Sequence, residues 1–99
     1  MFENDKQIFV TKAIAEQLSA EHQFFIYQYI QEYHAHLTDY LQIFEFYLEN
    51  SEQWLIQRQE EPNRETTIDI NLEVAEPINR KVWVMDQGEH IMILFPEDY

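Results

Sequence analysis

One stretch of the sequence, from Ala20 to Leu37, carries its apolar side chains at helical spacing, and most of the chain beyond it is patterned for strands. His22, Ile26, Tyr29, Ile30, Tyr33 and Leu37 share one stripe when each residue advances about 100°. Gln28, Gln31, Glu32 and Ala35 lie away from it. Ser19 stands where an N-cap belongs, and Glu21 puts negative charge in the first turn, where the helix dipole favours it. A chain of 99 residues has material for one core, so residues 1–99 read as a single domain. The lone helix must then bury its stripe against a sheet made by the same chain.

Strand signals flank the helix on both sides. Residues 7–11 (Gln-Ile-Phe-Val-Thr) are short, β-branched and aromatic, and residues 12–18 read as a turn or short helix. Residues 40–48 are strand-like, Glu49-Asn50-Ser51-Glu52 reads as a hairpin tip, and residues 53–60 alternate. Trp54, Ile56 and Arg58 fall on one side, and Gln53, Leu55, Gln57 and Gln59 on the other. Pro62 and Asn63 mark a loop over 61–65, and residues 66–72 set Ile68, Ile70 and Leu72 on one face. A connection over 73–79 contains Pro77. The last hairpin runs from Lys81 to Phe95 about a Gln87-Gly88 turn, which pairs Val84 with Ile91, Val82 with Ile93, Trp83 with Met92 and Met85 with His90. These elements predict an α+β domain, one amphipathic helix packed on a mostly antiparallel sheet of about five to six strands. The face that carries Trp83 is expected to be half-solvated or closed by a second copy, which makes a homodimer a candidate state.

Composition removes many functions. Six Lys and Arg against nineteen Asp and Glu give a net charge of −13, which opposes direct binding to nucleic acid or to an anionic membrane. No cysteine is present, so thiolate metal sites and cysteine nucleophiles are absent, and the single glycine, Gly88, excludes glycine-rich phosphate loops. The polar, acidic start has no signal-peptide pattern, and the longest apolar run, Ile91 to Phe95, is far short of a membrane span. A cytoplasmic location is expected.

Catalytic constellations are weak. His34 and His36 would lie on opposite sides of a helix, His22 is turns away and His90 belongs to the last hairpin, so no metal site is expected. Glu45 is the one acid expected to be appreciably buried, across from Ile56 and diagonal to Arg58, where an ion pair is the natural role. The two serines sit at a cap and in a turn. Neither an enzyme activity nor a cofactor is expected.

Binding features are better supported. Phe24 and Tyr27 sit about 160° and 100° from Ile26 around the helix, off the core stripe. Aromatic side chains left on a helix surface mark a partner site unless the N-terminal strand covers them. Trp83 and the tail from Phe95 through Glu97, Asp98 and Tyr99, apolar at its root and acidic at its tip, complete the candidate contact residues for a protein partner. In a simple meander the acids gather at two ends. One end holds Glu49, Glu52, Glu73, Glu76, Glu97 and Asp98, and the other holds Asp39, Glu60, Glu61, Glu65, Asp86 and Glu89. Such ends permit a second reading, a DNA mimic that occupies the cleft of a basic nucleic-acid-binding protein.

Several segments carry a family resemblance: Phe9-Val-Thr-Lys12, Asp39-Tyr-Leu-Gln-Ile-Phe-Glu45, Arg58-Gln-Glu60 with Pro62, Val82-Trp-Val-Met-Asp-Gln-Gly-Glu89, and the closing Leu94-Phe-Pro-Glu-Asp-Tyr99. Through them nearly the whole chain resembles domain-of-unknown-function family 960, small proteins of staphylococci and related Gram-positive bacteria. Lys12-Ala13 and Gln57 depart from the family's usual basic-plus-Gly and His at those places. The resemblance implies a bacterial cytoplasmic protein often carried on mobile elements and prophages, and it implies no activity. Cargo of this size and acidity includes inhibitors of host nucleic-acid enzymes, so by association the resemblance implies a defence or repair inhibitor.

Overall fold

Asn50 and Ser51 both adopt positive φ, 53° and 65°, as the two central residues of a type I′ turn do. That turn joins β2 (Leu41–Glu49) to β3 (Glu52–Gln59) in antiparallel register, with Glu49 opposite Glu52 and Glu45 opposite Ile56. In this computed structural model, which describes residues 1–99, the remaining elements are β1 (Gln7–Val10), α1 (Lys12–Gln17), α2 (Ala20–Tyr33), β4 (Arg64–Ile70), β5 (Arg80–Asp86) and β6 (His90–Leu94). Thr11 and Ser19 cap α1 and α2 by accepting hydrogen bonds from the backbone N–H groups of Ile14 and His22. The α+β expectation holds. No helix is long and apolar enough to cross a membrane.

The six strands form one sheet in the order β1-β6-β5-β2-β3-β4. Only the β1–β6 pair is parallel. The order is not a simple meander, because β5 pairs with β2 on the side away from β3. Each strand nevertheless runs in the direction a meander would give it, so the two acidic ends collect as expected. The helical layer covers one face over a core that includes Ile14, Ile26, Ile30, Phe44, Phe46, Leu55, Val82, Val84 and Phe95.

The last hairpin corrects the expected register. Val84 faces Ile93, Met85 faces Met92 and Asp86 faces Ile91, a slip of two residues. The turn residues are Gly88 and Glu89, since the Gln87 N–H donates to the His90 carbonyl at 2.9 Å. Gly88 then fills the first central position at φ 97°, a left-handed backbone conformation that glycine adopts without strain. A slip of two leaves each side chain on its own face, so Val82, Val84, Ile91 and Ile93 are all buried together. Three boundaries also move. α2 ends at Tyr33 and passes into a 3-10 turn over His34–His36, β4 begins at Arg64 inside the expected loop, and Leu72 lies beyond its end. Tyr33 leaves the buried stripe and is exposed.

Hydrophobicity alone would bury the Trp54 and Ile56 face of β3. The structure buries the glutamine face instead, placing Gln53, Gln57 and Gln59 with Gln42 of β2 beneath the helical layer. This arrangement stands because every amide is partnered. Gln57 accepts from the Tyr29 hydroxyl and donates to Gln42 Oε1 at 2.8 Å. Gln42 donates in turn to Gln59 Oε1 at 2.7 Å. Gln59 also accepts from the Thr38 and Asp39 N–H groups and donates to the Pro62 carbonyl. At the other end His22 Nε2–H donates to Gln53 Oε1 at 2.9 Å, and the Ser19 hydroxyl closes the ring's other nitrogen. No buried side-chain polar atom lacks a partner.

Gln59→Ala strands several buried donors at once and is expected to destabilise the fold by about 2–3 kcal/mol. Gln28→Ala, on the exposed side of α2, is expected to stay within about 0.5 kcal/mol. Urea denaturation of both variants checks the contrast.

Candidate protein-interaction site

β1 forms one edge of the sheet, and its place there depends on Asp86 at the end of β5. The Asp86 side chain is 4% exposed. Its Oδ2 accepts from the Phe2 N–H at 2.7 Å and from Lys6 Nζ at 2.7 Å, while Oδ1 accepts from the Gly88 N–H at 2.8 Å. One carboxylate thus ties the segment leading into β1 to the β5–β6 turn. Burial pushes the Asp86 carboxyl upward, but the Lys6 ammonium and the Phe2 and Gly88 N–H groups outweigh it and hold it below its ordinary range. Lys6 is raised, first by its hydrogen bond to Asp86 and then by that to Glu3. Phe2 itself is fully buried and plugs the core. The Asp86 carboxylate is therefore better shielded from water than that of Glu45, the acid expected to be buried. Glu45 is half-buried and makes its expected ion pair with Arg58 at 2.8 Å.

Between β1 and α2 runs an apolar groove of about 290 Å³, lined by Ile8, Val10, Ala20, Gln23, Phe24, Tyr27 and Ile93. Ile8 and Val10 stand in register with Ile91 and Ile93 of β6, so their side chains share the helix-facing side of the sheet. β1 flanks Phe24 and Tyr27 without covering them, and they remain 60% and 46% exposed. Ile8 and Val10 had no place among the candidate contacts. They belong beside Phe24 only because β1 pairs with the last strand, a contact across some eighty residues that no local pattern encodes.

The other candidate residues fall elsewhere. Trp83 lies on the uncovered face of the sheet, where its ring meets that of Tyr99 edge-on at 5.7 Å. Phe95 is a correction. At 1% exposed it belongs to the core, with the Arg80 guanidinium 3.6 Å above its ring, and it has no surface to offer a partner. The tail is folded back on the domain: Pro96–Asp98 form a 3-10 turn and Glu97 pairs with Arg80 at 3.0 Å. Asp98 and Tyr99 stay exposed at its tip. The tail is thus packed at its root and does not dangle as a docking segment. The candidates divide between two surfaces, Phe24 and Tyr27 on one and Trp83 and Tyr99 on the other.

A second cleft, of about 320 Å³, opens at the opposite edge between α2 and β4. Phe25, Tyr29, Tyr33, Glu32 and Arg64 line it, and Arg64 Nη1 donates to the His36 carbonyl at 2.7 Å. No three His, Asp or Glu side chains gather to hold a metal ion. At the far end of α2, the Glu21 carboxylate accepts from the Ala75, Glu73 and Val74 N–H groups, which hold it below the usual carboxylate range and pin the connection that precedes β5.

The family model described as "Staphylococcal protein of unknown function" (DUF960) matches residues 7–98. The crystal structure of a protein of unknown function from Enterococcus faecalis superimposes with a TM-score of 0.85 at 18% identity, covering 99% of this chain and 94% of that one. That likeness shows the fold. No curated protein matches the chain.

The folded Asp86 carboxyl titrates below its ordinary value of 3.8. Its contribution is therefore full above that value and is lost as pH falls through the depressed one. The melting temperature is expected to drop as pH is lowered from about 5 to about 2. Asp86→Asn is expected to melt lower at neutral pH and to decline less steeply. Parallel melting curves for the two proteins would show that this carboxylate is not the anchor.

Proposed function

The chain belongs to the staphylococcal family of unknown function DUF960, and from that premise we propose that it is a small, acidic, non-enzymatic module that binds a protein partner. The contact surface is the Phe24–Tyr27 side of α2 together with the neighbouring edge of β1. One observation carries this reading: two large aromatic side chains stand exposed on a helix directly beside an apolar groove. Exposed aromatics of this kind anchor interfaces, because they remove much apolar surface from water for little lost side-chain freedom.

Charge supports a basic partner. Only five of the nineteen Asp and Glu side chains engage a Lys or Arg of the chain. The remaining field steers a cationic surface inward and repels nucleic acid. Carriage on a mobile element, with inhibition of a host enzyme, is a setting that suits such a module.

The second reading, a DNA mimic, draws on the hairpin tip, where Glu49 lies directly opposite Glu52 and neither is ion-paired. Like charges so placed are a cost to the fold that a phosphate-binding partner would relieve. The acids divide between two ends of the sheet and follow no single track, which favours the aromatic surface.

Affinity capture from a staphylococcal lysate separates the two. The aromatic reading expects a partner retained when salt is raised, indifferent to duplex DNA, and lost with Phe24→Ala/Tyr27→Ala while the melting temperature stays unchanged. Release by salt and by DNA, with the double variant binding normally, would favour mimicry.

A further inference from the structure

The edge of β1 is open in a way that sheet edges seldom are. The Thr11 N–H donates to the Ile93 carbonyl at 3.1 Å. In a parallel ladder alternate residues turn to the same neighbour, so Gln7, Phe9 and Thr11 face β6 while Ile8 and Val10 turn their N–H and C=O groups outward. Edge strands are ordinarily blunted by charge, proline or a bulge. The far edge, β4, carries Arg64, Glu65 and Asp69. β1 reads Gln-Ile-Phe-Val, without a charge or a proline, and Phe9 and Val10 are exposed. Four free backbone groups and the apolar groove toward α2 therefore belong to the same two residues.

We propose that this edge receives an extended segment of the partner, which adds to the sheet as a seventh strand next to β1 and sets alternate apolar side chains against Phe24 and Tyr27. This rests on the protein-binding reading and specifies how that binding is made. Strand addition needs both features found here, an unpaired row of backbone groups and a pocket for every second side chain. A strand laid about 4.8 Å beyond β1 would run along the groove beside α2. The surroundings define the ends of the segment. Glu3 and Asp5 precede the edge and Glu16 follows it. Lys6 pairs with Asp86 and Glu3, and Lys12 with Glu16. Asp5 before the edge and Asp98 beside α1 have no ion-pair partner, so negative charge is in excess at both ends. The fitting segment is apolar at alternate central positions and carries Lys or Arg on both flanks. A second copy fits poorly, because pairing β1 with itself would set these carboxylates against one another at a net charge of −13 per chain.

The test is selection from a random twelve-residue peptide library displayed on phage, followed by binding of the enriched peptides to the full chain and two variants. Val10→Pro removes an outward N–H and leaves the β6 ladder intact, which an edge strand tolerates. Enriched peptides are expected to alternate apolar residues between basic flanks, and Val10→Pro is expected to weaken them about tenfold. Phe24→Ala should weaken them as well. Amide hydrogen exchange on the wild type supplies a readout independent of any variant's folding: Ile8 and Val10 should become protected when peptide binds. Peptides that need Phe24 but leave those amides unprotected would overturn strand addition and keep the interface reading. Peptides indifferent to both variants would overturn both readings. Failure to enrich any peptide would overturn strand addition. So would concentration-dependent dimers, seen by light scattering, that protect Ile8 and Val10 without peptide.

Discussion

The burial of four glutamine side chains between sheet and helix is the constraint on which the rest of the structure depends. An amide carried out of water without partners costs on the order of 1–3 kcal/mol, so an unpaired set of four would cancel most of a small domain's stability. The relay from Tyr29 through Gln57 and Gln42 to Gln59, and the separate Ser19–His22–Gln53 chain, remove that cost. They also fix where α2 lies, because Tyr29 and His22 reach their partners from one helix position only. With the helix so placed, Ile26 and Ile30 meet the core and Phe24 and Tyr27 are left outside. The polar layer decides which side of α2 can meet a partner.

Asp86 supplies the complementary constraint at the sheet's edge. Gathering Phe2, Lys6 and Gly88 about one carboxylate closes the longest loop in the chain and brings β1 beside β6. Parallel pairing with β6 sets β1 at the edge of the six-stranded sheet. The groove beside Phe24 and Tyr27 and the open backbone of Ile8 and Val10 are both consequences of that placement. A surface assembled from the first and last strands is carried by tertiary contacts, and it is therefore sensitive to whatever loosens the anchor.

The division of the aromatic candidates also has a physical origin. Trp83 and Tyr99 belong to the sheet face that the helices leave bare, where buried Ile43, Met85 and Leu94 form a small apolar floor. Tyr99 reaches this face through its edge contact with Trp83, while the Arg80–Glu97 ion pair and Phe95 beneath Arg80 hold the root of the tail on the helix-covered side. Of the tail residues that looked like a docking segment in the sequence, Phe95 is thereby drawn into the domain's own packing and Glu97 is tied to Arg80, while Asp98 and Tyr99 stay exposed.

Local rules made much of the fold legible. The stripe from His22 to Leu37 specified an amphipathic helix, the Ser19 cap its start and Asn50-Ser51 a tight hairpin, and strict alternation gave the right pairs of faces. Face parity survived even where the last hairpin slipped by two residues, because a strand's side chains repeat every two. The helix's exposed aromatics, Phe24 and Tyr27, were legible for the same reason, as residues off a stripe. What the chain could not state locally was which face of each strand would be inside, since glutamine is polar until a partner from another element satisfies it. Nor could it state that Asp86 would be buried, that Gly88 would lead its turn, or that β1 would lie parallel to β6. Those choices rest on contacts between residues tens of positions apart, and only the folded chain, where each polar group finds its complement, decides them.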